Sequence, residues 1–341
     1  MKASMFFKTR FVIVTLLLFA AAMSAPAAQD NSADLSRAHS LLEQGKTDEG
    51  MTLLREISLR EPKLKGLARE MGVAFYKKSQ FAQAAPYLQQ ALDEDANDKE
   101  AVQLLGLSYY FTGKPASAIP LLQRSQSWYR VANVDAMYVL GLCNLSIQNY
   151  DAAREAFAKM FDTPKDSAAA YLFTARMLLR QGNNSVGEEY AKKAANLDPR
   201  LPQAHYLLGE LYLSQSKVPE AIAELQKEIE INPGFAGVYY KLADADLRAE
   251  KWEDAERLLQ RSLWLDPDST GPYILLGKVL EKKGEFELAV RTLQHALAMD
   301  PNNPLPHYLL GQAFHQLGRN DDADREFKVS EQLRQKQNPT P

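Results

Sequence analysis

Residues 205–233 read HYLLGELYLSQSKVPEAIAELQKEIEINP, and the spacing of small and bulky residues within them decides the fold. Gly209 follows Leu208, Ala221 stands twelve residues on, Leu225 four residues after that, and Asn232-Pro233 closes the stretch. Moving outward in both directions, the first small residue recurs as Ala38, Gly72, Gly106, Gly141, Ala175, Gly209, Ala243, Gly277 and Gly311. Every step is 34 residues, except for one of 35 between Gly106 and Gly141. The second small residue recurs in phase as Gly50, Ala84, Ala118, Ala153, Gly187, Ala221, Ala255, Ala289 and Ala323. Two columns that keep phase over nine copies mark a stacked-repeat chain.

Bulky residues frame both columns. Leu105, Leu140, Leu208, Leu242, Leu276 and Leu310 precede the first, and Leu54, Leu88, Leu122, Phe157, Leu225, Leu259, Leu293 and Phe327 stand four residues after the second, with Ala191 the exception. Apolar residues at helical spacing on either side of a short polar turn describe two amphipathic helices packed as an antiparallel hairpin. The small columns are then the places where helix backbones approach closely. Turns fall between the columns, as at Gly113-Lys114-Pro115, Gln181-Gly182-Asn183 and Leu317-Gly318-Arg319, where glycine suits a left-handed helix end. Glu61-Pro62, Asp198-Pro199, Asn232-Pro233, Asp266-Pro267 and Asp300-Pro301 stop the second helices. Pro86 and Pro120 lie inside second helices and are expected to bend them. The repeats are expected at 31–64, 65–98, 99–133, 134–167, 168–201, 202–235, 236–269, 270–303 and 304–337, with the extra residue around Val131–Asn133 and a disordered tail at 338–341.

The order leucine, small, bulky, small, bulky and final proline resembles the tetratricopeptide repeat, most closely from His205 to Pro233. The resemblance implies an all-α, right-handed superhelical solenoid of antiparallel helix-turn-helix repeats. It also implies that the first helix of each hairpin lines a concave inner face used to bind proteins.

The register assigns residues to that face. Positions three before and one after the first column are four apart and share one side of a helix. From the fourth repeat onward they carry Tyr138, Arg176, Tyr206, Glu210, Tyr240, Asp244, Lys278, Tyr308 and Gln312, rigid aromatic area beside a few polar groups, as at protein-binding hot spots. These nine residues are the expected partner-binding site. Because Glu210 and Asp244 neighbour each other in the stack, with Arg176 and Lys278 flanking them, a mixed or weakly basic peptide is the expected ligand.

Hydrophobic residues make up 46% of the chain and charged residues 24%, which excludes a disordered chain. Residues 1–27 read as a secretory signal peptide, with Lys2, Lys8 and Arg10 ahead of the apolar run Phe11–Met23, then Ala25 and Ala27 as the small pair before the cleavage point. The run is too short for the roughly 20 residues that span a bilayer. The protein is therefore expected to be exported, periplasmic or secreted, without stable membrane insertion. Loss of those three cations changes the formal charge from −3 to −6, and no basic stripe remains to attract nucleic acid or anionic lipid.

Catalytic, metal and cofactor sites are not expected. Cys143 sits in the apolar pattern of Leu140, Leu142 and Leu145, where a thiol is buried and inert. Gly45-Lys46-Thr47 occupies a repeat turn and lacks the leading glycine of a phosphate-binding loop. An enzyme assembled in the groove from Glu210, Glu281 and His315 is disfavoured, because the repeat register already accounts for those positions. The function these observations favour is a protein-interaction scaffold or adaptor of the cell envelope. The alternative is a noncatalytic accessory subunit of an envelope secretion, assembly or polysaccharide-synthesis complex.

Overall fold

The computed structural model describes residues 31–125 and 134–337. The expected signal peptide, the extra residue around Val131–Asn133 and the expected tail at 338–341 lie outside them. Eighteen α-helices and no strands are present among the described residues. In chain order they are α1 (Asn31–Glu43), α2 (Thr47–Arg60), α3 (Leu67–Lys77), α4 (Phe81–Glu94), α5 (Lys99–Phe111), α6 (Pro115–Arg124), α7 (Ala136–Ser146), α8 (Tyr150–Met160) and α9 (Ala168–Arg180). They continue as α10 (Asn184–Leu197), α11 (Ala204–Ser214), α12 (Val218–Ile231), α13 (Ala236–Arg248), α14 (Trp252–Leu265), α15 (Thr270–Lys283), α16 (Phe286–Met299), α17 (Pro304–Gln316) and α18 (Asn320–Gln337).

The chain divides into two compact units, one ending at Ala101 and the other beginning at Val102. In the first, α1 packs on α2, α3 on α4, and α1 lies beside α3. In the second, hairpins such as α7–α8, α11–α12 and α17–α18 pack internally and each leans on the next, while α11, α13, α15 and α17 lie side by side. All helices of the second unit that begin hairpins from α11 onward thus share one layer.

The two small columns are the two halves of one interlock. A methyl group added to Gly209 would lie 2.5 Å from Leu225 Cγ, one on Gly277 2.5 Å from Leu293 Cγ, and one on Gly72 2.7 Å from Leu88 Cγ. At Gly141 it would overlap the Phe157 ring. The second column is the reverse socket, with Gly50 receiving Leu42 and Gly187 receiving Leu179. Leu88, Leu225, Leu259, Leu293 and Phe157 are fully buried in consequence. Each such side chain contributes about 1.5–3 kcal/mol of burial free energy. The small residue is required because a helix pair cannot close over a large side chain unless the facing position is nearly empty.

All nine hairpin turns share one conformation. Seven residues after the first column stand Gly45, Ser79, Gly113, Gln148, Gly182, Ser216, Glu250, Gly284 and Gly318, each left-handed, with φ between 57° and 80°. The next N–H donates to the carbonyl five residues back, as from Lys217 to Tyr212 at 2.8 Å and from Arg319 to Phe314 at 2.9 Å. This arrangement satisfies carbonyls that the helix end leaves open. The residue ahead of each expected proline stop is extended, as at Asp198 (φ −138°), Asn232 (φ −135°) and Asp266 (φ −142°). Helices α4 and α6 run on through Pro86 and Pro120. The polar sequence after Arg334 remains helical to Gln337.

Candidate protein-binding face

The layer of first helices in the second unit is grooved between neighbours. Between α9 and α11 a cleft of about 620 Å³ is lined by Arg176, Tyr206 and Glu210 together with Leu179, Gln203 and Leu207. Between α15 and α17, a cleft of about 320 Å³ has Tyr240 of α13 as a further wall and is lined by Ile274, Lys278, Leu305, Tyr308 and Gln312. It adjoins one of about 490 Å³ lined by Lys278, Glu281, Lys282, Phe286, Gln312 and Gln316. Seven of the nine expected site residues line these three clefts. Tyr138 and Asp244 do not: Tyr138 lies against the Phe157 ring with its hydroxyl 3.9 Å from Met177 Sδ, and Asp244 is paired with Arg248.

Charges on this face are largely settled within it. Glu210 accepts from the Tyr206 hydroxyl at 2.9 Å and pairs with Lys241 at 3.0 Å. Asp244 pairs with Arg248 at 2.8 Å, and Arg176 donates to Gln203 at 2.8 Å. Burial, reinforced by the Glu210 carboxylate, pushes the Tyr206 phenol well above its ordinary value, so it stays a donor. The expectation of a mixed or weakly basic ligand rested on the charges of this face. Its two acids are neutralised by Lys241 and Arg248, whereas Arg176, Lys278 and Lys282 have no carboxylate partner. The face thus holds cations outside its ion pairs, with Glu281, its carboxyl raised by burial to about 7, beside two of them.

Sequence reasoning passed over Gln203, Lys241, Gly271, Lys282 and Leu305. They stand six before, two before or five after the first column, on the same stripe at 3.6-residue spacing as the two rows used above. Extending the stripe by a turn at each end would have found them.

In the first unit the inner side of α3 is closed by ion pairs. Arg69 pairs with Glu70, Asp98 and Glu100, and Glu70 also meets His39 at 3.1 Å. The three residues of the disfavoured enzyme reading are not brought together, since Glu210 and Glu281 line different clefts and His315 lines neither. Among the described residues no group of three or more potential ligands is placed to hold a metal ion, and no helix is long and apolar enough to cross a membrane. His205 and His307 each pair with a glutamate nineteen residues on, Glu224 and Glu326, at 2.5 Å. Burial pushes the Cys143 thiol up to about 11.

Family models described as tetratricopeptide repeat match residues 35–99, 148–202, 174–234 and 212–279, and one described as TPR repeat matches 277–318. The chain belongs to the tetratricopeptide-repeat family. A further family model, described as anaphase-promoting complex, cyclosome, subunit 3, matches residues 77–160 of the repeat protein. Two curated relatives are the small glutamine-rich tetratricopeptide repeat-containing protein 2 of Mycosarcoma maydis, 26% identical over 101 residues, and the tetratricopeptide repeat protein 8 of Caenorhabditis elegans, 24% identical over 144 residues. These matches cover 30% and 42% of the repeat protein and 29% and 28% of the relatives, less than a third of their length. Among solved structures, YrrB, described as a TPR protein with an unusual peptide-binding site, is 21% identical with a TM-score of 0.46, covering 53% of this chain and 93% of that one. MamA of Desulfovibrio magneticus RS-1 is 21% identical with a TM-score of 0.47, covering 51% and 98%. Both likenesses concern the fold alone.

Proposed function

We propose that this repeat protein is a noncatalytic scaffold or adaptor that holds a segment of a partner protein along the first-helix face of its second unit. The observation that carries the reading is the row of clefts on that face, in which exposed apolar area alternates with polar groups. Leu305 and Tyr308 are 46% and 38% exposed there, although each sits on a well-packed helix. Fixed aromatic and aliphatic walls on rigid helices offer a partner contact area at little cost in side-chain entropy. The same proposal places the protein outside the cytoplasm, in the periplasm or secreted, on the strength of the basic, apolar and small-residue order of residues 1–27.

Affinity capture from a cell-envelope extract tests the face. Wild-type protein is expected to retain a partner that the double variant Tyr206→Ala, Tyr240→Ala loses at unchanged helicity. Capture that survives the double substitution would remove the face from consideration.

A further inference from the structure

The α15–α17 end of the face holds two cations that stand outside the ion pairs of the fold. Lys278 and Lys282 lie one turn apart on α15, both are exposed, and neither has an ion pair or hydrogen bond. Other charges nearby are consumed internally, Glu210 by Lys241, Asp244 by Arg248 and Glu256 by Lys283. Two cations a turn apart on one wall of a groove repel each other, a cost that Glu281 relieves only in part and an added anion would lower further.

Beside them is apolar surface left open to solvent. Leu305 and Tyr308 form one wall of the smaller cleft and Tyr240 the other. Gly271 also lines the cleft, where a methyl group would come into ordinary contact with the Tyr240 ring at 3.4 Å. The cleft, about 320 Å³, is at the lower end of ligand-sized volumes and suits one large side chain. Glu281 sits beside them with its carboxyl pushed up by burial to about 7 against the pull of Lys282 and Lys278, so near neutral pH it is only partly ionised and offsets only part of their charge. In its protonated form it is a donor.

Ile274, Lys278 and Lys282 mark successive turns of α15 along this wall. At 1.5 Å per residue they span about 12 Å. An extended peptide advances about 3.3 Å per residue with alternating side chains, so side chains two to four residues apart cover that distance roughly.

Resting on the binding face proposed above, we infer that its α15–α17 end accepts an extended, acidic segment of a partner protein. One large apolar side chain of that segment enters the cleft between Tyr240 and Tyr308. An acidic side chain about two to four residues away is held by Lys278 and Lys282.

The test is selection of a displayed library of random nine-residue peptides on the full chain, in parallel with a Lys278→Glu, Lys282→Glu variant and with the Tyr206→Ala, Tyr240→Ala variant. Both lysines are exposed, so circular dichroism of the charge-reversed variant is expected to match wild type. Wild type is expected to enrich Asp or Glu at that spacing from a large apolar residue at least tenfold over Gln or Lys, and charge reversal to switch the preference to Lys or Arg. Acidic enrichment that charge reversal leaves unchanged overturns the inference. Neutral or basic peptides that are lost only in the tyrosine variant also overturn it, while leaving the binding face intact. No enrichment on any variant sinks both. Sedimentation of wild type and the charge-reversed variant covers the remaining occupant: a self-association abolished by the reversal would assign the cleft to a second copy of the chain and overturn the inference too.

Discussion

Glu281 takes a seat that the repeat gives to bulky side chains. Four residues after the first column stand Leu42, Leu145, Leu179, Leu213 and Leu247 in other hairpins, and Leu42 and Leu179 fill the opposite socket. A carboxyl in that seat loses solvation, which raises its pKa from 4.5 to about 7, and its Oε1 is buried without a hydrogen-bond partner. Because the folded value lies above the unfolded one, the stabilising contribution of the protonated form is complete below pH 4.5 and is lost as pH rises through 7. Glu281→Gln fixes a neutral side chain. It is expected to melt close to wild type at pH 5 and to be more stable at pH 8 by about 1 kcal/mol, allowing for partial solvent screening. An equal difference at both pH values would contradict this account. The position was legible in the sequence through its register, but its ionisation was not, since that depends on the burial of a single oxygen. The groove charges show the same limit: Glu210 and Asp244 were found by column, whereas Lys241 and Arg248, which neutralise them, belong to other columns.

At the scale of the element, the hairpin was legible almost entirely, because each helix is announced by its apolar stripe and each end by its own chemistry. The turn shows what the residue types conceal. Five of the nine turns place glycine at the left-handed residue, and the spacing predicts that conformation there. The other four place Ser79, Gln148, Ser216 and Glu250 in the same conformation, with φ from 57° to 60°. A side chain in that region is disfavoured by about 1–2 kcal/mol relative to the right-handed one. All four are exposed, so nothing in the packing depends on them. Glycine at these positions relieves the clash while giving the unfolded chain more freedom, an opposing effect of about 0.4–1 kcal/mol. Gln148→Gly, Ser216→Gly and Glu250→Gly are each expected to gain about 0.5–1 kcal/mol in urea melts at unchanged slope. A loss of stability in all three would mean that these side chains hold the turn in a way their exposure does not reveal.

On the scale of the molecule, the number and order of hairpins follow from the columns, but the division at Ala101 does not. The first column continues in phase through α5 at Gly106, just beyond the boundary, and the second passes in phase from Ala84 in α4 to Ala118 in α6, so periodicity carries no mark of it. Within the second unit each hairpin is tied to its neighbours, so a local lesion is expected to stay local. Gly141→Ala supplies one. Its methyl group meets the Phe157 ring, which is fixed in turn by Phe173 at a 5.0 Å centroid distance, and overpacking of this kind costs about 1–3 kcal/mol. Hydrogen exchange is expected to quicken in α7, α8 and α9 and to stay as in wild type in α15 to α18. Uniform quickening would show that the unit opens as a whole. The interlock that confines such a lesion also gives the unit a mechanical character. Under tension along the chain, each knob leaves its own socket without first dislodging distant ones, so length is paid out hairpin by hairpin. With 34 residues in a repeat, each release under such tension lengthens the chain by up to about 110–120 Å of contour, so its extension is expected to come in steps of that size.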